Sequence, residues 1–236
     1  MLCDVSYLLR LVLPDQPGAL GAVATALGRF GIDIVSLAVV ERTPDGAVDD
    51  LVVQLPPGGL ADSVLTAAQS VPGAQVESLR PYLADGAGVS DDLDLVDALT
   101  DRPQDAPAVL AELVAGVFHA DWAMLLELVG PGDVRIREES VGAPNLGVND
   151  YASPRRATRP VPWLPLPEAR EIDPAEGGLP DRWAERGMQL AAAPVGCPEL
   201  VILVGRPGGP AFRSSEIARL AHLAGITASL TRPAAH

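Results

Sequence analysis

Residues 13–20 read LPDQPGAL and separate an apolar, strand-like run from an amphipathic helical one. Pro14 and Pro17 end the strand, and Pro17 suits a first helical position, where a missing N–H is no loss. Asp15 is placed to cap the helix, its charge favourable at the positive end, and Gly18 allows a partner to approach the backbone closely. On these residues alone the stretch reads equally as a loop that holds a small polar ligand and as an ordinary strand-to-helix connection.

Working outward, Val5, Tyr7, Leu9, Leu11 and Leu13 alternate with residues that include Ser6 and Arg10, which predicts a strand with one buried face. Leu20, Val23, Leu27 and Phe30 recur at helical spacing and Gly31 follows as a C-cap, predicting a helix over 17–30. The β-branched run IDIVSLAVVE ends in TPDG, a hairpin turn, and Val48 to Leu55 supplies the returning strand. Pro56-Pro57 and Gly58-Gly59 break it. Leu60, Val64, Leu65, Ala68 and Val71 then form a second helical stripe closed by Pro72-Gly73, and a last strand runs over 74–82. The order βαββαβ is an α+β arrangement in which two helices cover one face of a four-stranded sheet.

PDQPGAL followed by GIDIVSL resembles the ACT domain, an amino-acid-sensing module with a D/N-x-P-G-x-L turn after its first strand and a G-x-N-I segment opening its second. The resemblance covers residues 4–83 and implies a ferredoxin-like βαββαβ fold whose sheets pair side by side in a homodimer. It further implies a ligand site at the dimer interface, with Asp15, Gln16, Pro17, Gly18, Ala19 and Leu20 as one wall and Asp33 of a neighbouring subunit as the other. Two positions depart from the pattern. Asp33 stands where Asn is common, offering an acceptor-only carboxylate to a ligand or equally serving as a solvated residue at the start of its strand, and Leu13 stands where some serine-sensing members carry His. With Asp15 and Asp33 both acidic, the expectation is that the carboxylates take a ligand's amine and the N–H groups of Gly18 and Ala19 its carboxylate.

Residues 84–91 are small and polar without periodicity, as expected of a linker, and open a second domain over 92–232. Helical patterns follow, one capped by Ser90 or Asp91 and one by Asp105, then a hairpin from Trp122 to Val141 turning at GPGD. Residues 142–186 carry no periodicity and predict an irregular segment, either a functional lid or mobile. Strands over 188–195 and 200–204 and a final helix capped by Ser214 or Ser215 complete the chain. The tail ELVILVGRPGGPAFRSSEIARLAHLAGITASL resembles the end of a GAF domain, implying a GAF-like α/β sandwich with a small-molecule pocket under the variable loop, or a dimerising platform without a ligand. Arg155, Arg156 and Arg159 in that loop suit a carboxylate or phosphate clamp, or equally a solvated loop paired with Asp150 or Glu168. Trp163 and Trp183 suit either a second pocket or the anchoring of the loop on its own domain.

The 236 residues have 48% hydrophobic and 20% charged content, which fits two folded domains. No apolar run approaches the roughly 20 residues of a membrane span, and the N-terminal residues lack the basic start of a secretory signal, so a cytoplasmic protein is expected. All 17 basic residues are arginine, and the net charge of −14 argues against nucleic acid as a partner. Cys3 and Cys197 lack ligand or disulfide spacing, and His119, His222 and His236 have no metal spacing, so no metal or cofactor is expected. No nucleophile elbow, phosphate loop or dinucleotide fingerprint is present, and no catalytic residue is assigned. Three readings follow: a non-catalytic sensor of an amino acid or similar zwitterion with a GAF-like relay; a regulatory subunit of an amino-acid biosynthetic enzyme; and a cryptic enzyme using the arginine-rich loop.

Overall fold

The computed structural model describes residues 6–44, 46–82, 92–130, 133–144, 146, 156–157 and 161–231, the pair 156–157 by its backbone alone. The linker over 84–91, Cys3, Val5 and His236 lie outside them. The chain divides into two compact units, Met1–Gly86 and Ala87–His236.

In the first unit β1 (Ser6–Leu13), α1 (Ala19–Arg29), β2 (Asp33–Thr43), β3 (Gly46–Gln54), α2 (Ala61–Gln69) and β4 (Gln75–Tyr82) follow the expected order. The sheet runs β2-β3-β1-β4 with every neighbouring pair antiparallel. This is the α+β split arrangement, with β2 and β4 as its two edges. α1 ends as predicted at Gly31, whose φ of 71° is easy for glycine. The Gly31 N–H donates to Gly28 O and the Ile32 N–H to Leu27 O, which satisfies the last carbonyls of the helix.

The core on the helical side gathers Leu9, Leu11, Leu13, Leu51 and Val53 of the sheet against Val23 and Leu27 of α1 and Val64 and Ala68 of α2. Each fully buried leucine contributes about 1.5–3 kcal/mol relative to its exposed state. The expectation of one buried face for β1 is corrected, because Leu8, Arg10, Val48, Asp50 and Val52 on the other face are buried as well. Arg10 is tolerated there because Asp50, its cross-strand neighbour, neutralises it.

β2 departs from this double burial. Register shifts between Ile34 and Ser36 and between Val39 and Glu41 mark two bulges, and Val35, Leu37 and Val39 stay exposed, as does Phe30 at the end of α1.

In the second unit α3 (Asp92–Asp101), a 3₁₀ turn over Pro103–Asp105 and α4 (Ala106–Val117) precede β5 (Trp122–Gly130) and β6 (Asp133–Glu139). Then come β7 (Arg156–Ala157), β8 (Arg170–Ile172), α5 (Asp181–Glu185), β9 (Met188–Val195), β10 (Cys197–Pro207) and α6 (Ser214–Leu230). The sheet order is β7-β6-β5-β10-β9-β8. One core packs α3, α4 and α6 on this sheet. The other, on alternate residues of the same strands, includes Val161, Trp163, Leu164, Leu166, Leu179 and Trp183.

That second core corrects the reading of 142–186 as irregular throughout. From Val161 onward the segment supplies β8, α5, a 3₁₀ turn over Pro174–Glu176 and buried apolar residues. Its apolar positions follow no period because they are spaced by the sheet surface they cover rather than by one element. Two caps are corrected as well. Asp105 is the N-cap of α4 but makes no side-chain cap bond, and α6 is capped at Arg213, whose N–H donates to Glu216 at 2.8 Å.

Candidate functional site

The stretch 13–20 folds around a tight turn at Pro17-Gly18. Gly18 has φ 93° and ψ −12°, and the Ala19 N–H donates to Gln16 O at 3.2 Å, the geometry of a type II turn that Pro then Gly favours. The helix therefore begins at Ala19 rather than Pro17. Asp15 does not cap it: the N-cap is Gly18, with no side-chain cap bond and no acid in the first turn. Because Ala19 spends its N–H inside the turn, the amides of Leu20 and Gly21 are the first-turn donors left without an acceptor among the described residues. Asp15, Gln16, Pro17 and Gly18 are exposed, and Ala19 and Leu20 half-buried.

Two glycines press on the turn. A Cβ on Gly46 would lie 2.4 Å from Leu13 O, and one on Gly73 would lie 2.8 Å from Pro14 Cγ. The β2–β3 hairpin and the α2–β4 turn thus hold the loop in place by backbone approach that only glycine permits.

Asp33 is exposed at the start of β2 and pairs with Gln54, whose partner on β1 is Ser6. The turn follows Leu13, which pairs with Ala47 at the other end of the same strands. Within one chain the two expected walls therefore stand at opposite ends of the sheet.

A residue that the sequence reading did not single out lies closer to the turn. Asp49 sits on β3 between Leu11 of β1 and Val39 of β2, 4% exposed, and its Oδ1 has no hydrogen-bond partner. Burial raises its pKa above the ordinary aspartate value; Arg42 acts to lower it, and Asp50 and Asp15 raise it further. The signal was available in the run VDDLVV, where strict alternation places an acid among core positions.

In the second unit the arginine cluster falls largely outside the described residues. Arg155 and Arg159 are not described, and Arg156 is placed only by its backbone pairing with Arg135. Trp163 and Trp183 are buried in the core of their own unit. Trp183 packs at 5.1 Å against Trp122, whose indole occupies the space a Cβ on Gly205 would need, and the indole N–H groups of Trp122 and Trp163 have no acceptor among the described residues. An open cleft of about 640 Å³ runs between 167–171 and the first turns of α6, lined by Glu168, Arg170, Ser214 and Ile217. His119 follows α4 with φ 48°, and His222 and Cys197 are exposed. Among the described residues no group of three His, Cys, Asp or Glu side chains could hold a metal ion, and no helix is long and apolar enough to cross a membrane.

Comparison with known proteins bears on the first unit. Residues 7–72 match the ACT domain family, so the chain carries an ACT domain there. No curated protein matches the chain. Among solved structures it is similar to the GAF domain of an Acinetobacter phosphoenolpyruvate-protein phosphotransferase, at 11% identity and a TM-score of 0.40 over 59% of this chain and 91% of that one. It is also similar to the ligand-free regulatory subunit of aspartate kinase from Thermus thermophilus, at 16% identity and 0.28 over 93% and 90%. A third similarity is to the chromophore-binding domain of an unusual bacteriophytochrome from R. palustris, at 13% and 0.41 over 95% and 91%.

Proposed function

We propose that this protein is a non-catalytic regulatory protein that senses an amino acid or similar zwitterion through its ACT domain, at an interface between two copies of the chain. The observation that carries the reading is the geometry of β2. It is an edge strand with exposed Val35, Leu37 and Val39 along it, Asp33 at one end and Thr43 at the other. The turn at residues 13–20 lies at the Thr43 end, since Thr43 pairs with Gly46 and Leu13 with the adjacent Ala47.

A two-fold axis pairs β2 with its copy in antiparallel fashion, and antiparallel pairing centred near Ala38 carries the partner's Asp33 to the Thr43 end. The walls that one chain holds apart are brought to the same end by the second copy. Pairing also covers the exposed apolar strip and the unpaired backbone groups of the edge. The second unit relays the ligand's presence or adds a second sensor.

Calorimetry and thermal shift across the twenty common amino acids test the reading. A saturable response to at least one of them is expected. A flat response at millimolar concentration overturns it.

A further inference from the structure

We propose that Asp49 is the carboxylate that takes the ammonium group of a bound amino acid, with Arg42 and the free amides of Leu20 and Gly21 placed for its carboxylate. The inference rests on the amino-acid reading above and assigns the recognition group of that same site.

Along β3 the residues Ala47, Asp49, Leu51 and Val53 share the face turned to α1 and α2, and Leu51 and Val53 are core. Asp49 continues that face between Leu11 and Val39, where alternation calls for an apolar side chain. A carboxylate in that position is stable only if something compensates it, and its Oδ1 has no donor. Its neighbour Asp50 points to the other face and is bound bidentately by Arg10. Of the remaining charges acting on Asp49, Arg42 and Asp15 both come from the end of the sheet that holds the turn, and both are exposed. Asp15 and Asp49 together outweigh Arg42, so that end takes a cation. The two unfilled amides at the start of α1 favour an anion. A cation-binding and an anion-binding group at the same end of the sheet are what a zwitterion needs, and a simple amine or a simple carboxylate fills only half of the arrangement.

The test is isothermal calorimetry on the full chain with each of the twenty common L-amino acids, followed by the N-acetyl form of whichever binds, on the parent protein and on Asp49→Asn and Asp33→Asn. The expected result is that Asp49→Asn weakens binding at least about tenfold, as loss of a charged hydrogen bond does, that the N-acetyl form fails to bind the parent, and that the thermal melt of Asp49→Asn shows an intact fold. Binding by Asp49→Asn within about twofold of the parent, or equal binding of the N-acetyl form, overturns the assignment to Asp49 and leaves the sensing role standing. If Asp49→Asn proves unfolded, loss of binding by Asp49→Glu, which keeps the charge but displaces it, supports the assignment, and unchanged binding overturns it. Absence of any binding to the parent overturns both.

Discussion

Arg10 on β1 and Asp50 on β3 stand directly opposite each other and form a bidentate ion pair, Nε to Oδ1 at 2.6 Å and Nη2 to Oδ2 at 2.7 Å, with both side chains almost wholly buried. The fork geometry matches guanidinium to carboxylate and fixes the register of the two central strands. Removing one partner takes the bidentate contact away from a buried charge. Asp50→Ala is expected to lower stability by about 3–5 kcal/mol in urea unfolding, whereas replacing both residues with apolar ones of similar volume is expected to be near neutral.

Gly46 and Gly73 are expected to respond unequally to alanine. At Gly46 a Cβ meets the backbone oxygen of Leu13 at 2.4 Å, and the φ of 151° is itself unfavourable for an L-residue. At Gly73, with φ 83°, the close atom is the Cγ of the Pro14 ring, 2.8 Å away. Gly46→Ala should therefore be the more damaging, since backbone in a ladder cannot yield, at a cost of about 1–3 kcal/mol. Urea midpoints of the two variants check the order.

The buried state of Asp49 has a signed consequence for pH. Its folded-state pKa is raised, so the folded chain binds the proton more tightly than the unfolded chain. Its contribution to stability therefore falls as pH rises from the unfolded value of about 3.9 through the raised native value, and stays at its least favourable above that. Asp49→Asn should be more stable than the parent at pH 7, the difference shrinking as pH falls towards the unfolded value. Melts of both proteins from pH 3 to 8 measure it, and a difference that does not vary with pH contradicts the cause given. Asp15, Asp50 and Arg42 are the charges to hold constant.

Glu216 receives Arg206 at 2.5 Å and the Arg213 N–H at 2.8 Å, while the Arg206 guanidinium stacks on Phe212 at 3.8 Å. One buried carboxylate thus caps α6 and ties the turn 207–213 to β10. Glu216→Ala is expected to cost about 3–5 kcal/mol and to lower the melting temperature of the second unit. Circular dichroism and differential scanning calorimetry read the effect.

For assembly, Leu37→Lys places a charge at the centre of the β2 edge, where the side chain is 45% exposed and the fold of one chain loses little. The parent is expected to behave as a dimer in light scattering at micromolar concentration and Leu37→Lys as a monomer. A parent that is already monomeric contradicts the shared site.

How far the sequence reveals this molecule depends on whether a feature is local. The break between strand and helix over 13–20, the C-cap at Gly31 and the hairpin after Thr43 are each carried by side-chain chemistry within four residues, and each is legible. The start of α1 is misjudged because Pro17 suits both a first helical position and the second residue of a type II turn, and Gly18 decides for the latter by taking φ 93°. Arg10 is hidden for another reason. Arg10 looks like a solvent-facing member of an alternating strand, and only the second buried face of β1 shows that it is not, whereas Asp49 stands at a core position of the alternation in VDDLVV. The segment after residue 160 fails because packing against a sheet imposes no period of its own.

All three tryptophans, Trp122, Trp163 and Trp183, belong to the second unit and are buried there, while the first unit contains none. An amino acid held by residues 15–20 therefore meets no indole of its own unit. A change in tryptophan emission on its addition reports an altered environment in the second unit. The molecule thus carries an intrinsic optical reporter confined to its second unit.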